Sequence, residues 1–170
     1  MSSGIDWSDE ESARRYDAVS IRDPDAEKHF NHGLELSKKD KEGALASFRK
    51  AIALSPDYAE AYYNAGVVLG NLGRPEEAAE AFRNVIRIKP ERAEGYFNLG
   101  TLYGVMGRKQ EAVEMLKRAV ALRPAYPEAH FNLGITYVSL KNQAAALEEY
   151  KILSGIDRDR AERLFGLIYT

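Results

Sequence analysis

The sequence predicts an all-α protein built from tandem pairs of helices, and two observations carry this prediction. Several residue types recur at a spacing of 34 along most of the 170-residue chain. Within each repeat, apolar side chains return every three or four residues, as they do on one face of a helix. Helical patterning repeated at a period of roughly 20 to 50 residues is typical of a solenoid, in which stacked units bury one continuous core.

Four columns of residues define the period. Prolines stand at Pro56, Pro90 and Pro124. Alanines stand at Ala44, Ala78, Ala112 and Ala146. Larger side chains follow at Phe48, Phe82, Leu116 and Tyr150. Glycines stand at Gly66, Gly100 and Gly134, with Gly33 one residue off the step. The small residues allow two helices to approach closely, and the larger ones are expected to fill the space between units.

Each repeat is predicted to hold two helices, A and B. The helices predicted for the second unit are 59–71 and 75–88. Gly73 between them suits a left-handed C-terminal cap, and Pro75 suits the first turn of helix B. Gly107 has the same role in the third unit, and Asn142 is expected to cap helix B of the fourth. The proline that follows each of the first three B helices ends it, because proline disfavours the helical conformation in the preceding residue.

The composition excludes several kinds of protein. Hydrophobic residues make up 45% and charged residues 29% of the chain, so it has the apolar side chains that disordered proteins lack. The 24 Lys and Arg against 26 Asp and Glu give a net charge of -2, which leaves no overall basic field for nucleic acid. Cysteine is absent, which excludes disulfides, thiolate metal sites and a cysteine nucleophile.

Nothing in the sequence predicts insertion into a membrane. No run approaches the roughly 18 consecutive apolar residues that a spanning helix requires. Residues 1–11 are polar and acidic and lack the basic start and apolar run of a signal peptide. We therefore expect a cytoplasmic protein.

The pattern resembles the tetratricopeptide repeat (TPR), whose 34-residue signature is W-x2-L-G-x2-Y…A-x3-F…P. The third unit matches it as Tyr96-x2-Leu99-Gly100-x2-Tyr103, Ala112-x3-Leu116 and Pro124. The second and fourth units match most positions, although Arg158 replaces the proline of the fourth. The first unit, with His29, His32 and Gly33, matches least and has one residue fewer between its helices. The resemblance implies a right-handed α-solenoid of antiparallel helix pairs, with the A helices lining its concave face.

We expect three kinds of segment along the chain. The predicted ranges are 1–24 for an acidic leader, 25–58, 59–92, 93–126 and 127–158 for four repeats, and 159–170 for a capping helix. Ser8 and Glu11 form a capping box, which predicts a short leader helix over 9–19. The leader is either loosely packed or docks Trp7 and Tyr16 onto its own or a neighbouring solenoid. In the capping helix, the residues expected to cover the fourth unit are Leu164, Phe165, Leu167 and Ile168. Those expected to face water are Arg160, Glu162 and Arg163.

The sequence predicts no enzymatic site, no cofactor and no metal. It contains none of the motifs of a P-loop, a serine-hydrolase elbow, a zinc protease or an EF-hand. The glycines near Gly66 and Gly100 follow the repeat period, so we interpret them as packing residues and not as a dinucleotide fingerprint. His29 and His32 could share a metal only with a third ligand, which the nearby sequence does not supply. His130 stands in an aromatic column and is also interpreted as a packing residue.

The resemblance also implies that positions 2, 5, 6 and 9 of each A helix point into the concave face. The acidic ladder at position 2 is Glu27, Glu60, Glu94 and Glu128. The aromatic ladder at position 5 is Phe30, Tyr63, Phe97 and Phe131. The amide ladder at position 6 is Asn31, Asn64, Asn98 and Asn132. The mostly apolar ladder at position 9 is Leu34, Val67, Thr101 and Ile135.

These residue types suit an extended peptide. An asparagine offers a donor and an acceptor that match a peptide backbone. The aromatic rings offer apolar area, and the glutamates favour a partner that carries Lys or Arg. In an alternative interpretation, the same residue types are common in average TPR units and serve only stability, with the binding site elsewhere.

Two other binding modes are disfavoured. The TPR clamp that binds chaperone tails requires basic residues where this chain has Phe30, Glu94 and Asn98, and only Asn64 agrees with it. The B helices carry a basic column at Arg49, Arg83, Lys117 and Lys151. The glutamates three residues before the last three are Glu80, Glu114 and Glu148, so we expect an ion-paired outer face and no nucleic-acid binding.

The predicted function is therefore a non-enzymatic scaffold or adaptor that binds an extended peptide or disordered segment in the concave groove. Two alternatives remain open. In one, the protein self-assembles into homo-oligomers as its leader docks on a neighbouring copy. In the other, it is a targeting or regulatory module of a catalytic partner.

Overall fold

The computed structural model describes residues 23–169, and every regular element within them is an α-helix. The helices of this part of the chain are α1 Pro24–Leu36, α2 Lys41–Leu54, α3 Ala59–Asn71, α4 Pro75–Ile88, α5 Ala93–Val105, α6 Lys109–Leu122, α7 Pro127–Ser139, α8 Gln143–Ile156 and α9 Arg158–Ile168. Each helix packs on the next one, and α9 packs on both α7 and α8. The predicted all-α solenoid is confirmed.

The connections between the helices follow from local chemistry. Gly73 and Gly107 have φ angles of 71° and 76°, which is the left-handed conformation that glycine adopts without strain. Lys141 takes the same place in the fourth repeat with φ of 59°. The Asn142 side chain accepts a hydrogen bond of 3.2 Å from the backbone N–H of Ala145, as its predicted role as an N-cap requires. The ends of α2, α4 and α6 lie two residues before Pro56, Pro90 and Pro124.

The first repeat differs from the others in a way that the sequence analysis placed wrongly. Its connection, 37–40, has four residues, whereas 72–74 in the second repeat has three. The end of α1 is instead shorter by two residues, since α1 stops three residues after Gly33 whereas α3 continues for five after Gly66. With the connection longer by one residue, the first repeat is shorter by one overall. The longer connection contains no left-handed residue, unlike its three counterparts among the described residues.

The glycine column sets the distance between paired helices. A Cβ added at Gly66 would lie 2.9 Å from two ring carbons of Phe82, and one added at Gly33 would lie 2.6 Å from the ring of Phe48. Both rings are buried, as the sequence predicts. In the fourth repeat, however, the side chain against Gly134 belongs to Leu164 of α9.

Helix α9 covers the fourth repeat with fewer residues than expected. Leu164 is fully buried and Ile168 partly buried, but Phe165 and Leu167 each remain 44% exposed. Arg160, which was expected to face water, is only partly exposed, because it forms ion pairs with Glu128 and Asp157.

The predicted leader helix over 9–19, with Trp7 and Tyr16, lies outside the described residues. Between residues 23 and 169, no helix has the length and apolar character needed to cross a membrane.

Candidate functional site

The A helices α1, α3, α5 and α7 carry the four predicted ladders. Helices α5 and α7 contact each other directly across a repeat boundary, which places the A helices on the inner side of the stack. A cleft of about 310 Å³ lies between these two helices, and Thr101, Asn132 and Ile135 line it. Two of the four ladders, the amide ladder and the position-9 ladder, therefore reach one shared hollow in this part of the chain.

The amide ladder is held in place by the protein's own backbone and side chains. Asn64 Nδ2 donates to the carbonyl of Glu60 at 2.8 Å, and Asn98 Nδ2 donates to the carbonyl of Glu94 at 2.9 Å. Asn98 Nδ2 also lies 3.3 Å from the hydroxyl of Tyr63, in the preceding repeat. The hydrogen bonds of these two amides all use Nδ2, so within the described residues their Oδ1 atoms accept none.

Asn132 differs from the other two because its amide reaches across to the preceding repeat. Its Nδ2 donates to Thr101 Oγ1 at 2.9 Å, which couples the amide ladder to the position-9 ladder. Asn31, at the first repeat, is exposed.

Three of the four glutamates in the acidic ladder are neutralised by cations of the chain itself. Glu60 pairs with Lys89 at 2.6 Å, and Glu128 pairs with Arg160 at 2.7 Å. Glu94 pairs with Arg123. Each of these cations lies 29 to 32 residues further along the chain than its partner. The structure thus changes the expectation that these glutamates present a negative surface to a ligand.

The pKa of Glu94 shows the effect of this pairing. Partial burial alone would raise it, but the hydrogen bond from Arg123, with the nearby charges of Arg123 and Arg92, leaves the pKa below its usual value. Arg92 also bridges two repeats, with Nη1 3.8 Å from Glu60 and Nε 3.7 Å from Glu94.

Residues at or after the end of each repeat cover the aromatic ladder. Tyr58 packs against Phe30 with ring centroids 4.8 Å apart, and Tyr126 packs against Phe97 at 4.9 Å, both with tilted ring planes. Burial, with a smaller effect of Glu94, raises the pKa of Tyr126 to about 12. The two other rings lie under guanidinium groups, with Arg92 5.0 Å above Tyr63 and Arg163 4.9 Å above Phe131. Because these partners cover them, the rings belong to the packed inner surface more than they offer free area to a ligand. Phe131, for example, is only 9% exposed.

The apolar ladder remains accessible. Leu34, Val67 and Ile135 are each about 40% exposed, with values of 41%, 38% and 37%. Val105, which the sequence analysis did not select, is 81% exposed and lines the cleft between α5 and α7. Its repeat counterparts are Asn71 and Ser139, so a comparison of that column would have revealed it.

The structure also reveals a buried polar pair that the sequence analysis missed. His130 Nδ1 lies 2.6 Å from Glu149 Oε2, and His130 Nε2 lies 2.9 Å from the carbonyl oxygen of Pro124. Both residues are buried, at 4% and 9% exposure. The hydrogen bond to Glu149 raises the pKa of His130 against the opposing effect of burial. Glu149 replaces Ala81 and Met115 of the preceding repeats, which is the signal that could have identified the pair.

The other histidines do not form a metal site in the structure. His32 lies 3.8 Å from Glu35, and both side chains are exposed. The part of the chain between residues 23 and 169 holds no cluster of three or more His, Asp or Glu side chains arranged to bind a metal.

The outer face carries the expected ion pairs at two positions. Arg83 pairs with Glu80 at 2.8 Å, and Lys151 pairs with Glu148 at 2.7 Å. Arg49 instead reaches the next repeat and pairs with Glu77 at 3.0 Å.

Stacked helix pairs with in-register side chains along their inner wall define a helical-repeat protein, a class built to present an extended surface. Models of the tetratricopeptide repeat match the chain at residues 34–73, 59–92, 105–141 and 127–159. The chain belongs to the tetratricopeptide repeat family.

Several known proteins are similar to this chain in sequence or in fold. An uncharacterized protein of Methanocaldococcus jannaschii, MJ0572, is 46% identical over 56 residues, which cover 32% of this chain and 65% of that protein. The crystal structure of MamA protein superposes with a TM-score of 0.79 at 28% identity, covering 85% of this chain and 80% of the other. The first TPR of Spaghetti (RPAP3) bound to an HSP90 peptide has a TM-score of 0.68 over 72% of this chain and 98% of the other, and its 16% identity shows the fold alone.

Proposed function

We propose that this chain is a non-enzymatic adaptor that binds an extended or disordered segment of another protein along its concave face. Membership of the TPR family supports a role in protein–protein interaction. The observation that carries the finer proposal is the amide ladder, in which Asn64 and Asn98 hold equivalent hydrogen bonds 34 residues apart.

The amides suit the main chain of a partner. The bond through Nδ2 restrains each side chain, so binding costs little additional rotamer entropy. In the proposed complex, Oδ1 of each amide accepts a peptide N–H, and the second Nδ2 hydrogen of Asn64 reaches a peptide carbonyl. Both contacts are hydrogen bonds to the peptide backbone, so they require an extended segment but no particular sequence.

The proposed partner is apolar rather than basic. The glutamates at positions 60, 94 and 128 already have cationic partners, so they add little attraction for Lys or Arg on a ligand. Exposed Val67, Ile135 and Val105 instead offer apolar contact beside the amides. A bulky apolar side chain of the peptide would enter the cleft between α5 and α7.

The test is to measure binding of an immobilised library of extended peptides to the wild type and to the triple variant Asn64→Ala/Asn98→Ala/Asn132→Ala. Each lost hydrogen bond is worth roughly 0.5–1.5 kcal/mol, so we expect affinity to fall at least about tenfold. The matched control is Ser154→Ala on α8, because Ser154 Oγ makes a bond of the same kind, 2.9 Å to the carbonyl of Tyr150, on a helix that carries none of the four ladders. A triple variant that keeps its circular dichroism spectrum and binds the same peptides unchanged would refute the proposal.

A further inference from the structure

A second cleft opens on the outer side of the first two repeats, among α2, α3 and α4, and we call it the outer cleft. Its volume is about 250 Å³. Leu45, Tyr62 and Leu69 form part of its wall, and the ion-paired Arg49 and Glu77 stand at its rim. None of the four ladders contributes to it, so it is separate from the proposed peptide groove.

The chain fills the corresponding space one repeat later. Of the ten residues that line the outer cleft, five have an identical residue 34 positions on. Four others are smaller than their counterparts. These pairs, with the cleft residue first, are Ala65 and Leu99, Leu69 and Tyr103, Ala81 and Met115, and Asn84 and Arg118. Leu45 alone is larger than its counterpart, Ala79. The outer cleft therefore exists because four of its side chains are smaller than the side chains that fill the same positions one repeat later.

Tyr103 shows what occupies this position when it is filled. Its ring is buried at 6% exposure within the main core. Arg83 Nη1 donates to the phenol oxygen at 3.2 Å, and the guanidinium of Arg108 lies 4.2 Å above the ring. Arg83 meanwhile uses Nε and Nη2 to bind Glu80.

Both arginines have counterparts at the outer cleft. Arg49 corresponds to Arg83, and its Nη2 donates to Glu77. Its Nη1, the atom through which Arg83 binds the phenol, is left to donate to a ligand. Arg74 corresponds to Arg108, and its Nε donates to Glu77 at 2.6 Å, as Arg108 Nε donates to Glu111 at 2.6 Å. The two cations that hold a tyrosine ring in one repeat thus recur where the ring itself is replaced by Leu69.

The geometry points to the outer cleft as a docking site for a tyrosine side chain presented by a partner protein. The ring lies beside Leu69 and Ala81, and its phenol oxygen accepts a hydrogen bond from Arg49. No residue of the amide ladder lines this site, so one protein segment can occupy the groove while another docks in the outer cleft.

The test uses blocked tripeptides, Gly-Tyr-Gly, Gly-Phe-Gly and Gly-Ala-Gly, titrated at millimolar concentration and observed in methyl NMR spectra. We expect the tyrosine peptide to shift the methyl signals of Leu45, Ile52 and Leu69 and to leave those of Val105 and Ile135 unchanged. It should bind about three- to tenfold more tightly than the phenylalanine peptide, because of one additional hydrogen bond. The variant Arg49→Gln should remove that difference.

Two filling variants provide the decisive control. Leu69→Tyr, on α3, introduces the residue found at Tyr103, and Ala81→Met, on α4, introduces the residue found at Met115. Each variant should retain the fold and abolish the methyl shifts. The inference is overturned if the tyrosine peptide produces no shifts, if tyrosine and phenylalanine bind equally, or if a folded filling variant responds like the wild type. The Asn64→Ala/Asn98→Ala/Asn132→Ala variant should still bind the tyrosine peptide, so this result is independent of the groove.

Discussion

Gly100 lies directly against Leu116, so that a Cβ added at residue 100 would stand 2.8 Å from Leu116 Cγ and 3.1 Å from its backbone nitrogen. The carbonyl oxygen of Ala112 would be 3.2 Å away. Two of these three atoms belong to the backbone of α6, which cannot yield without separating the helices. The close approach of α5 and α6 therefore depends on the absence of a side chain at this position.

The variant Gly100→Ala should lower the free energy of unfolding by about 1–3 kcal/mol, since overpacking outweighs the gain in helix propensity. The matched control is Gly104→Ala, one turn later on α5, where an added Cβ meets nothing within 4 Å. There the gain in helix propensity should raise stability by up to about 1 kcal/mol. Chemical denaturation of both variants provides the measurement, and equal effects at the two sites would contradict this account.

The His130–Glu149 pair should make stability depend on pH. The pKa of His130 is raised in the folded state, so its contribution is fully present below the unfolded pKa of about 6.5 and is lost as pH rises through the folded pKa. Glu149→Gln should lower the pKa of His130 and cost about 1–3 kcal/mol at pH 5.5, with a smaller loss at pH 8.5.

Thermal unfolding at both pH values, with NMR titration of the His130 ring, measures this effect. Glu148→Gln is the control, because Glu148 is exposed and pairs with Lys151 at 2.7 Å. A His130 titration that is the same in Glu149→Gln and in the wild type would show that the carboxylate does not stabilise the charged ring.

The neutralised acidic ladder gives a third prediction. Removing the charge in Arg123→Gln should raise the pKa of Glu94, because the hydrogen bond that opposes burial is lost. The lowered pKa contributes stability that is present above the unfolded pKa of about 4.3 and is lost as pH falls through the folded value, so this variant should lose stability near neutral pH and little below pH 3.

Carboxylate NMR titration of Glu94 in both proteins provides the measurement. Arg87→Gln serves as the control, since Arg87 donates its hydrogen bonds to the amide oxygen of Asn84 and not to a carboxylate. If Glu94 titrates at the same pH in Arg123→Gln and in the wild type, its partner is not Arg123.

Several features of the fold could be predicted because they depend on neighbours in sequence. The bounds 59–71 and 75–88 are those of α3 and α4. Gly73 and Pro75 specify that connection through backbone conformations that few other residues favour. The same reasoning failed in the first repeat, where Asp40 caps α2 after a longer connection and no glycine signals the end of α1.

The candidate site was only partly predictable. Register placed Asn64, Asn98 and Asn132 at equivalent positions, and the structure gives the first two the same hydrogen bond. The register of the A helices could not predict which residues cover the ladders, because Tyr58 and Arg92 come from the ends of their repeats. The sequence analysis also treated each repeat position as uniform, so it did not identify Val105 and Glu149, which differ from their counterparts in the other repeats.

The sequence by itself determined the period, the helix pairs and the family, because periodicity, caps and small residues act over a few turns of chain. Only the tertiary structure decided which charges remain available, since Glu60 and Glu94 meet Lys89 and Arg123 through contacts between residues 29 apart. It likewise decided that Leu164 packs against Gly134 and that the outer cleft stays open, because close packing depends on how side chains of different helices fill shared volume.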